Sequence, residues 1–553
     1  MMLYKMASKI KSPGKPKTQN NEIGPNLKKN LFLVLVWILI LGTAAYLRFY
    51  NINFGLPQSF HADEPELVEP AIKYTYEIRK IISNRSYEQL IPISFVYGQV
   101  PTYILTPIIM TSSKLMNTLG YAFSKETLYV IARALSALLS LVIIPLTLAL
   151  FNLVNKRESA NKIKAALVVV LATAYNWKLI VIGHYANADI YLTFFTLLSS
   201  IFFLQYIQSS TKKFLVLSAV FFGLSVGTKV TALIVLPIYF FLLFKNKRIF
   251  AIAIFTLLTF GAFIFSNPFS WALAQDFAFR VLTLATKENG LVFDSANLSY
   301  TKYLVALAQQ ASPIVLAAAV LATAQTSLKL FRKKENDTDR ATKDAHIYLI
   351  LYAMFYIVFY SISNRLVDRW LLPVLPIVFV YAGVFIEKLN GKLGNIIFAL
   401  FVLLLIYSYG EKAFLLTKQY QRQTPKSEAY IWAQSNISGP PTKLVVTEEG
   451  LDPMNKLPST TVLTFNVYES ENAYLEFPPN PSLYNYVILS SRPMSYFKNP
   501  IISEKYPTYV AAWYSFESTI QNKENFELIR SFSLPKPDLI NVSDVHVYKN
   551  LNK

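Results

Sequence analysis

The sequence predicts a polytopic α-helical membrane protein of about eleven spanning helices, followed by a small C-terminal α/β domain. Three observations carry this. Apolar runs of membrane-spanning length recur from Leu31 to Gly410. Over all 553 residues, 53% are hydrophobic and 15% aromatic. Beyond residue 410 the apolar runs shorten to strand length.

The predicted spans are residues 31–48, 127–153, 164–182, 189–208, 214–227, 230–245, 249–266, 303–328, 346–362, 370–387 and 393–410. The first follows a lysine-rich tail, residues 1–30, whose composition predicts disorder. No small-residue cleavage site follows the run, only Arg48, Phe49 and Tyr50, so it is expected to stay as an uncleaved span. Pro101–Met116 is also apolar, but it is short and is broken by Pro107 and Lys114. Counting it as a span would put Lys156, Arg157, Lys162, Lys164 and the cluster Arg332, Lys333 and Lys334 outside; counting it as a juxtamembrane helix puts all of them inside. The positive-inside bias selects the second choice. It gives a cytoplasmic N-terminus, a long first external loop over about 49–126, and an extracytoplasmic domain over 411–553.

The net charge of +20 then reads as topology, and no nucleic-acid partner is implied. The absence of cysteine excludes disulfides, thiolate metal sites and thiol nucleophiles. In the C-terminal region, strands are expected at Lys443–Val446, Thr461–Val467, Tyr486–Leu489, Phe526–Phe532 and Val545–Tyr548, after a helix at Ser427–Ser435. No glycine-rich phosphate loop follows any of these strands, so nucleotide binding has no support.

With that parity, several polar segments share the outer face. The first external loop opens with Phe60-His61-Ala62-Asp63-Glu64-Pro65-Glu66, followed by an amphipathic helix. Its apolar side is expected to include Leu67, Val68, Ala71, Tyr76, Ile81 and Ile82. Asp63 reads either as the N-cap of that helix or as a general base whose partial desolvation raises its basicity. Gly183-His184-Tyr185-Ala186-Asn187-Ala188-Asp189 joins two spans and is too short to fold alone. Asp189 either caps the next helix or joins His184 and Asn187 in lining a cavity that Asp63 faces.

Gly223–Lys229 lies between two short apolar runs, where interrupted helices let polar groups reach a cavity. Lys229 is either an interfacial anchor or a point charge for a phosphate. Ser363–Trp370 places Arg365 and Arg369 against the basic-inside bias. That implies an anion there, either a lipid headgroup or a phosphate suited to arginine's forked donors. Asn267-Pro268 reads as a helix terminator.

Taken together in order, these segments resemble the GT-C glycosyltransferases, in the branch of the protein O-mannosyltransferases and aminoarabinose transferases. The resemblance rests on Asp63-Glu64, Tyr97-Gly98-Gln99-Val100-Pro101, Ala134–Leu139 after Arg133, His184–Phe195, Gly223–Lys229, Asn267-Pro268 and Arg369-Trp370-Leu371-Leu372-Pro373-Val374-Leu375-Pro376. It implies transfer of a sugar from a polyprenyl-phosphate carrier to a hydroxyl, with inversion. It further implies Asp63 as base, Glu64 in support, Lys229 with Arg365 or Arg369 on the donor phosphate, and His61, Tyr97, His184, Asn187 and Asp189 around the pocket.

The mannosyltransferases' longer luminal insertion is not recognisable, and Gln99-Val100 precede a single Pro101 where the aminoarabinose branch has lysine and a double proline. The acceptor therefore stays open among protein, lipid and glycan. A phosphate leaving group needs no metal in principle, so no cofactor is expected, with a divalent ion left as an alternative. Rival readings are a lipid or small-molecule transporter, against which no repeated halves are seen, and a non-catalytic assembly protein.

Overall fold

The computed structural model describes residues 25–553 except 58–60, 62, 93–94, 96, 121–123, 156–158, 160, 287–300, 333–336, 363–365, 449–452, 466–476 and 499. Most of the expected N-terminal tail lies outside these residues, as do Arg365 and Lys156–Arg157. Residues 1–43 and 44–553 form separate compact units. In the first unit the chain is helical from Pro25 and carries exposed Leu35, Ile38 and Leu39.

Each of the eleven expected spans has a helical counterpart. Helix α1 is Pro25–Phe49, α2 Glu64–Ser83, α3 Val100–Thr118 and α4 Lys125–Val154. Then come α5 Lys162–Ala174, α6 Trp177–Gly183, α7 Ala188–Ser209, α8 Lys212–Val226, α9 Leu236–Lys245 and α10 Ile249–Ser266. After the short α11 Pro268–Ala272 and α12 Ala274–Thr286, the series resumes with α13 Lys302–Ala311, α14 Pro313–Arg332, α15 Asp337–Ile362, α16 Leu375–Glu387 and α17 Gly391–Tyr420.

Among the described residues seven helices are long and apolar enough to cross a bilayer, or eight when α5 and α6, which meet at 43°, are taken as one broken span. Val34–Phe49 and Val230–Lys245 are shorter apolar helices. The chain is a multi-pass membrane protein. Large apolar side chains stay exposed along the spans, with Phe250, Leu257 and Phe265 on α10 and Leu393, Leu403 and Tyr407 on α17. Lipid is the solvent that tolerates such faces.

Two expectations are refined. The run 303–328 is broken at Ser312, which takes φ 70° ahead of Pro313. Proline has no N–H to continue the hydrogen-bond ladder, so the chain restarts as a new helix. The apolar side assigned to α2 also contracts. Leu67, Val68, Ala71, Tyr74 and Ile81 are buried, whereas Tyr76 and Ile82 are exposed.

Pro101–Met116 lies within α3, which packs against α2. Leu67, Val68 and Ala71 meet Leu105 and Ile109, and Tyr129 and Ala132 of α4 close the cluster. Thr102 donates its hydroxyl to the Leu67 carbonyl at 3.3 Å. The first loop is thus a helical hairpin braced on the bundle.

The C-terminal domain begins with α18 Pro425–Asn436 and holds strands β1 Lys443–Glu448, β2 Thr460–Phe465, β3 Tyr486–Ser490, β4 Phe526–Phe532 and β5 Val545–Asn550. The sheet order is β2-β1-β3-β5-β4. The three strands β2, β1 and β3 run parallel, and β5 pairs antiparallel with β3 and β4. Leu444, Val446, Val487 and Leu489 pack one face onto Trp513, Phe516 and Ile520 of the helix Pro507–Gln521. Val445 and Ile488 pack the other onto Ala429 and Ala433. Period-two alternation with both faces covered explains why each of these strands reads as almost continuously apolar. Gln419, at the end of α17, ties this domain to the bundle by donating to the carbonyls of Pro535 and Pro537 at 2.6 and 2.8 Å.

Candidate active site

Five chain segments meet where the N-terminal ends of α4 and α7 adjoin the C-terminal end of α6. The anchor is Glu64, which is fully buried. Arg133 of α4 grips its carboxylate bidentately at 2.7 and 2.8 Å, and the backbone N–H groups of Ala186 and His61 each donate to it at 3.0 Å. The same guanidinium donates to the carbonyls of Ile52 and Phe54 at 2.9 and 2.8 Å. This one pair therefore ties Ile52, Phe54, His61 and Ala186 to α4. Both oxygens of Glu64 are committed, each to two donors. The carboxylate that the sequence groups with Asp63 as catalytic is a positioning group, with no lone pair left for substrate.

Asp63, one residue earlier, is turned the other way. It stands at the N-cap position of α2 but its side chain makes no capping bond. Instead Arg369 reaches its carboxylate at 2.8 Å and Asn187 donates to it at 3.0 Å. The Tyr97 hydroxyl also donates to it. Asn187, not Asp189, caps α7, accepting from the Asp189 N–H at 2.8 Å. Asp189 is buried and bridges two cations, Lys229 at 2.7 Å and Arg369 at 3.2 Å. Lys229 does not snorkel away; its ammonium lies 5.7 Å from the ring centres of both Tyr97 and Trp370. Asp63, Arg369, Asp189 and Lys229 thus form one chain of ion pairs.

Close backbone contact sets this arrangement. Gly98 N–H donates to the Thr228 carbonyl at 3.0 Å and Val100 N–H to the Gly227 carbonyl at 3.3 Å. A Cβ on Gly98 would sit 1.8 Å from the Gly227 carbonyl oxygen, and one on Gly227 would sit 2.4 Å from the Asn267 side-chain nitrogen. Only glycine lets the strands cross this closely. Asn267, expected merely to end α10, also accepts the Gln99 N–H at 2.6 Å and fastens the crossing. That crossing is what carries Tyr97 to Lys229.

The electrostatics depart from the expectation for Asp63. Burial does push its carboxyl up, but Arg369, His61 and Lys229, with the Tyr97 hydrogen bond, outweigh it and hold it below the ordinary aspartate range. Asp63 is an ionised acceptor at neutral pH, and not a strengthened base in the resting state. Burial together with the Asp63 charge pushes the Tyr97 phenol up, so that it remains a donor. His61 lies 3.9 Å from Asp63, accepts the Asp63 N–H at Nδ1 and packs its ring on Tyr185 at 4.6 Å. Burial lowers its pKa, so it stands neutral.

His184 was expected to line the pocket; it acts as a bracket instead. Its ring stacks on Tyr420 at 4.0 Å, and Nε2 lies 3.0 Å from the Tyr50 carbonyl. Burial pushes it down to about 4, so it too is neutral.

Arg133 was quoted in the sequence pattern without a role, and Trp370 and Gln99 likewise. An arginine inside an apolar run is itself a signal, because the bilayer tolerates it only when paired. A further pair, Lys178 with Asp368 at 2.5 Å, flanks Arg369. Among the described residues no three His, Cys, Asp or Glu side chains gather as metal ligands.

Comparison with known proteins gives a partial family match and a full-length fold match. Residues 112–284 match the family model described as dolichyl-phosphate-mannose-protein mannosyltransferase. The archaeal oligosaccharyltransferase AglB from Archaeoglobus fulgidus, in complex with an inhibitory peptide and a dolichol-phosphate, superposes with a TM-score of 0.50 at 12% identity, covering 85% of this chain and 71% of that one. The same enzyme tethered to an acceptor peptide gives 0.50 at 12% identity, covering 87% and 72%. The fold is that of this archaeal oligosaccharyltransferase. ArnT from Cupriavidus metallidurans, bound to undecaprenyl phosphate, aligns over 92% of this chain and 98% of its own at 13% identity, with a TM-score of 0.49. A sequence search of curated proteins gives no match. At these identities the structural likeness speaks for the fold alone, and the chemistry has to come from the residues.

Proposed function

We propose that this chain is an inverting membrane glycosyltransferase that moves a sugar from a polyprenyl-phosphate donor to a hydroxyl of a protein, lipid or glycan. The supporting observation is the Asp63–Arg369–Asp189–Lys229 chain: an ionised carboxylate and two cations, joined through shared ion pairs on the GT-C fold. In the reaction the acceptor oxygen attacks the anomeric carbon as the bond to the phosphate breaks, and Asp63 takes the acceptor proton.

The departing phosphate gains negative charge. Fixed cations beside it therefore stabilise the transition state more than the ground state. Lys229 and Arg369 are assigned to that phosphate, with Arg365 as a further arginine of the same segment. Tyr97 and Asn187 keep the Asp63 carboxylate aimed, while Glu64 with Arg133 fixes the backbone that carries it. No cofactor enters this scheme. We place the chain in the cytoplasmic (plasma) membrane with its N-terminus inside and the C-terminal domain outside, on the basic-inside bias of the loops.

The test is sugar release from a radiolabelled polyprenyl-phosphate sugar by purified protein and by Asp63→Asn. General-base loss predicts a fall of about 10²–10⁴-fold in turnover with donor binding retained. Turnover near that of the unmodified protein would remove Asp63 from the mechanism.

A further inference from the structure

Beside the ion-pair chain, between α2 and the 97–99 crossing, opens a cleft of about 160 Å³ lined by Pro65, Glu66, Glu69, Tyr97, Gly98 and Gln99 with two further prolines. We propose that this cleft is the subsite for the donor's sugar, and that Gln99 is a sugar-binding residue. The proposal deepens the glycosyltransferase reading and rests on it.

Gln99 is more than nine-tenths buried, and among the described residues no donor reaches its Oε1. A buried acceptor without a partner is costly and persists where a ligand can supply the hydrogen. Its backbone is held independently, by Asn267 on its N–H. The side chain is therefore not needed to keep the crossing closed.

The chemistry of the walls selects the ligand. No Lys or Arg lines the cleft, and Gln99 borders it beside two carboxylates, Glu66 and Glu69, the latter paired with Lys125 at 2.6 Å and accepting from the Tyr129 hydroxyl at 2.7 Å. Such a lining offers a phosphate no cation of its own and presents acceptors to a group rich in hydroxyl donors. Tyr97 belongs to both places. It borders the cleft, hydrogen-bonds Asp63, and lies 5.7 Å from the Lys229 ammonium. With the phosphate on Lys229, the sugar one bond away lies along Tyr97. The cleft is the adjoining space that suits it, and Asp63 lies two residues before Pro65 of its lining.

The test measures binding of undecaprenyl phosphate, bare and carrying mannose, glucose or galactose, to unmodified protein, Gln99→Leu and Gln99→Ala. Gln99→Leu should lower affinity for the preferred sugar-bearing lipid about fivefold, the scale of one lost neutral hydrogen bond, and leave the bare lipid unchanged. It should also leave thermal stability unchanged or raised, because it removes an unpaired polar atom; a structural role would lower it. Equal losses for bare and loaded lipid, or no loss for either, overturn the subsite. If the unmodified protein neither binds any loaded lipid better than the bare one nor releases sugar from it, the glycosyltransferase reading itself falls.

Discussion

Glu64→Gln separates architecture from chemistry at this site. The carboxylate collects four donors: Arg133 Nε and Nη2, and the N–H groups of Ala186 and His61. A glutamine keeps the shape but offers one oxygen, so two of the four donors then face an amide NH₂. The change also strips the buried Arg133 guanidinium of its counter-charge, leaving it one amide oxygen and the Ile52 and Phe54 carbonyls as acceptors. Breaking a buried ion pair from one side costs about 3–5 kcal/mol, and the pair here is at most 1% exposed on either side. Thermal unfolding in detergent should therefore show a clear drop in midpoint for Glu64→Gln. The companion Asp63→Asn should melt close to the unmodified protein, because its carboxylate is partly exposed and Arg369 keeps Asp189. Sugar release should be lost in both. If Glu64→Gln melts with the unmodified protein, the positioning role assigned to the pair is refuted.

Two further perturbations probe the network. Since Arg369, His61 and Lys229 hold Asp63 below the ordinary aspartate range against burial, the acid limb of kcat/KM should lie below that range. The stability contributed by its ionised form should persist on acidification until the same low pH. Arg369→Gln removes the largest opposing charge, so the acid limb of its residual activity should move upward; an unmoved limb would detach Arg369 from Asp63. Gly98→Ala places a methyl 1.8 Å from a carbonyl oxygen that cannot yield. It should cost at least tenfold in activity through displaced Tyr97, and unchanged kinetics would show that the crossing has slack.

How much of this was legible beforehand follows from which forces act locally. The spans and all five strands could be read because burial in lipid or against a helix imposes an apolar run of characteristic length on neighbouring residues. Even so, the break at Ser312 was missed, although Gln309, Gln310 and Pro313 already interrupt that apolar run. Asp189 and Lys229 could be singled out as charges where the membrane disfavours them, Arg369 as one against the basic-inside bias, and Asp63 as an acid opening the first external loop. Their partners could not. Glu64 and Asp63 are adjacent in sequence and equally acidic, and the difference between a saturated anchor and an aimed acceptor lies in which way the chain turns at the start of α2. The crossing of 97–100 over 227–228 is likewise a contact between segments about 130 residues apart, with no local periodicity to announce it.

The resting pairing also constrains how a donor must bind under the proposed reading. Asp63 and Asp189 carry two negative charges, Lys229 and Arg369 two positive ones, and they sum to zero. A phosphodiester approaching this group meets no net positive charge; it must take a cation from a carboxylate already bonded to it. Binding is then an exchange, and affinity is set by the difference between two ion pairs. Asp189→Asn shifts that difference by removing Lys229's resting partner at 2.7 Å. It should tighten binding of bare undecaprenyl phosphate while lowering thermal stability, a combination that simple loss of structure does not produce. Weaker binding of the bare lipid by a folded Asp189→Asn protein would show instead that Asp189 is needed to hold Lys229 in place for the phosphate.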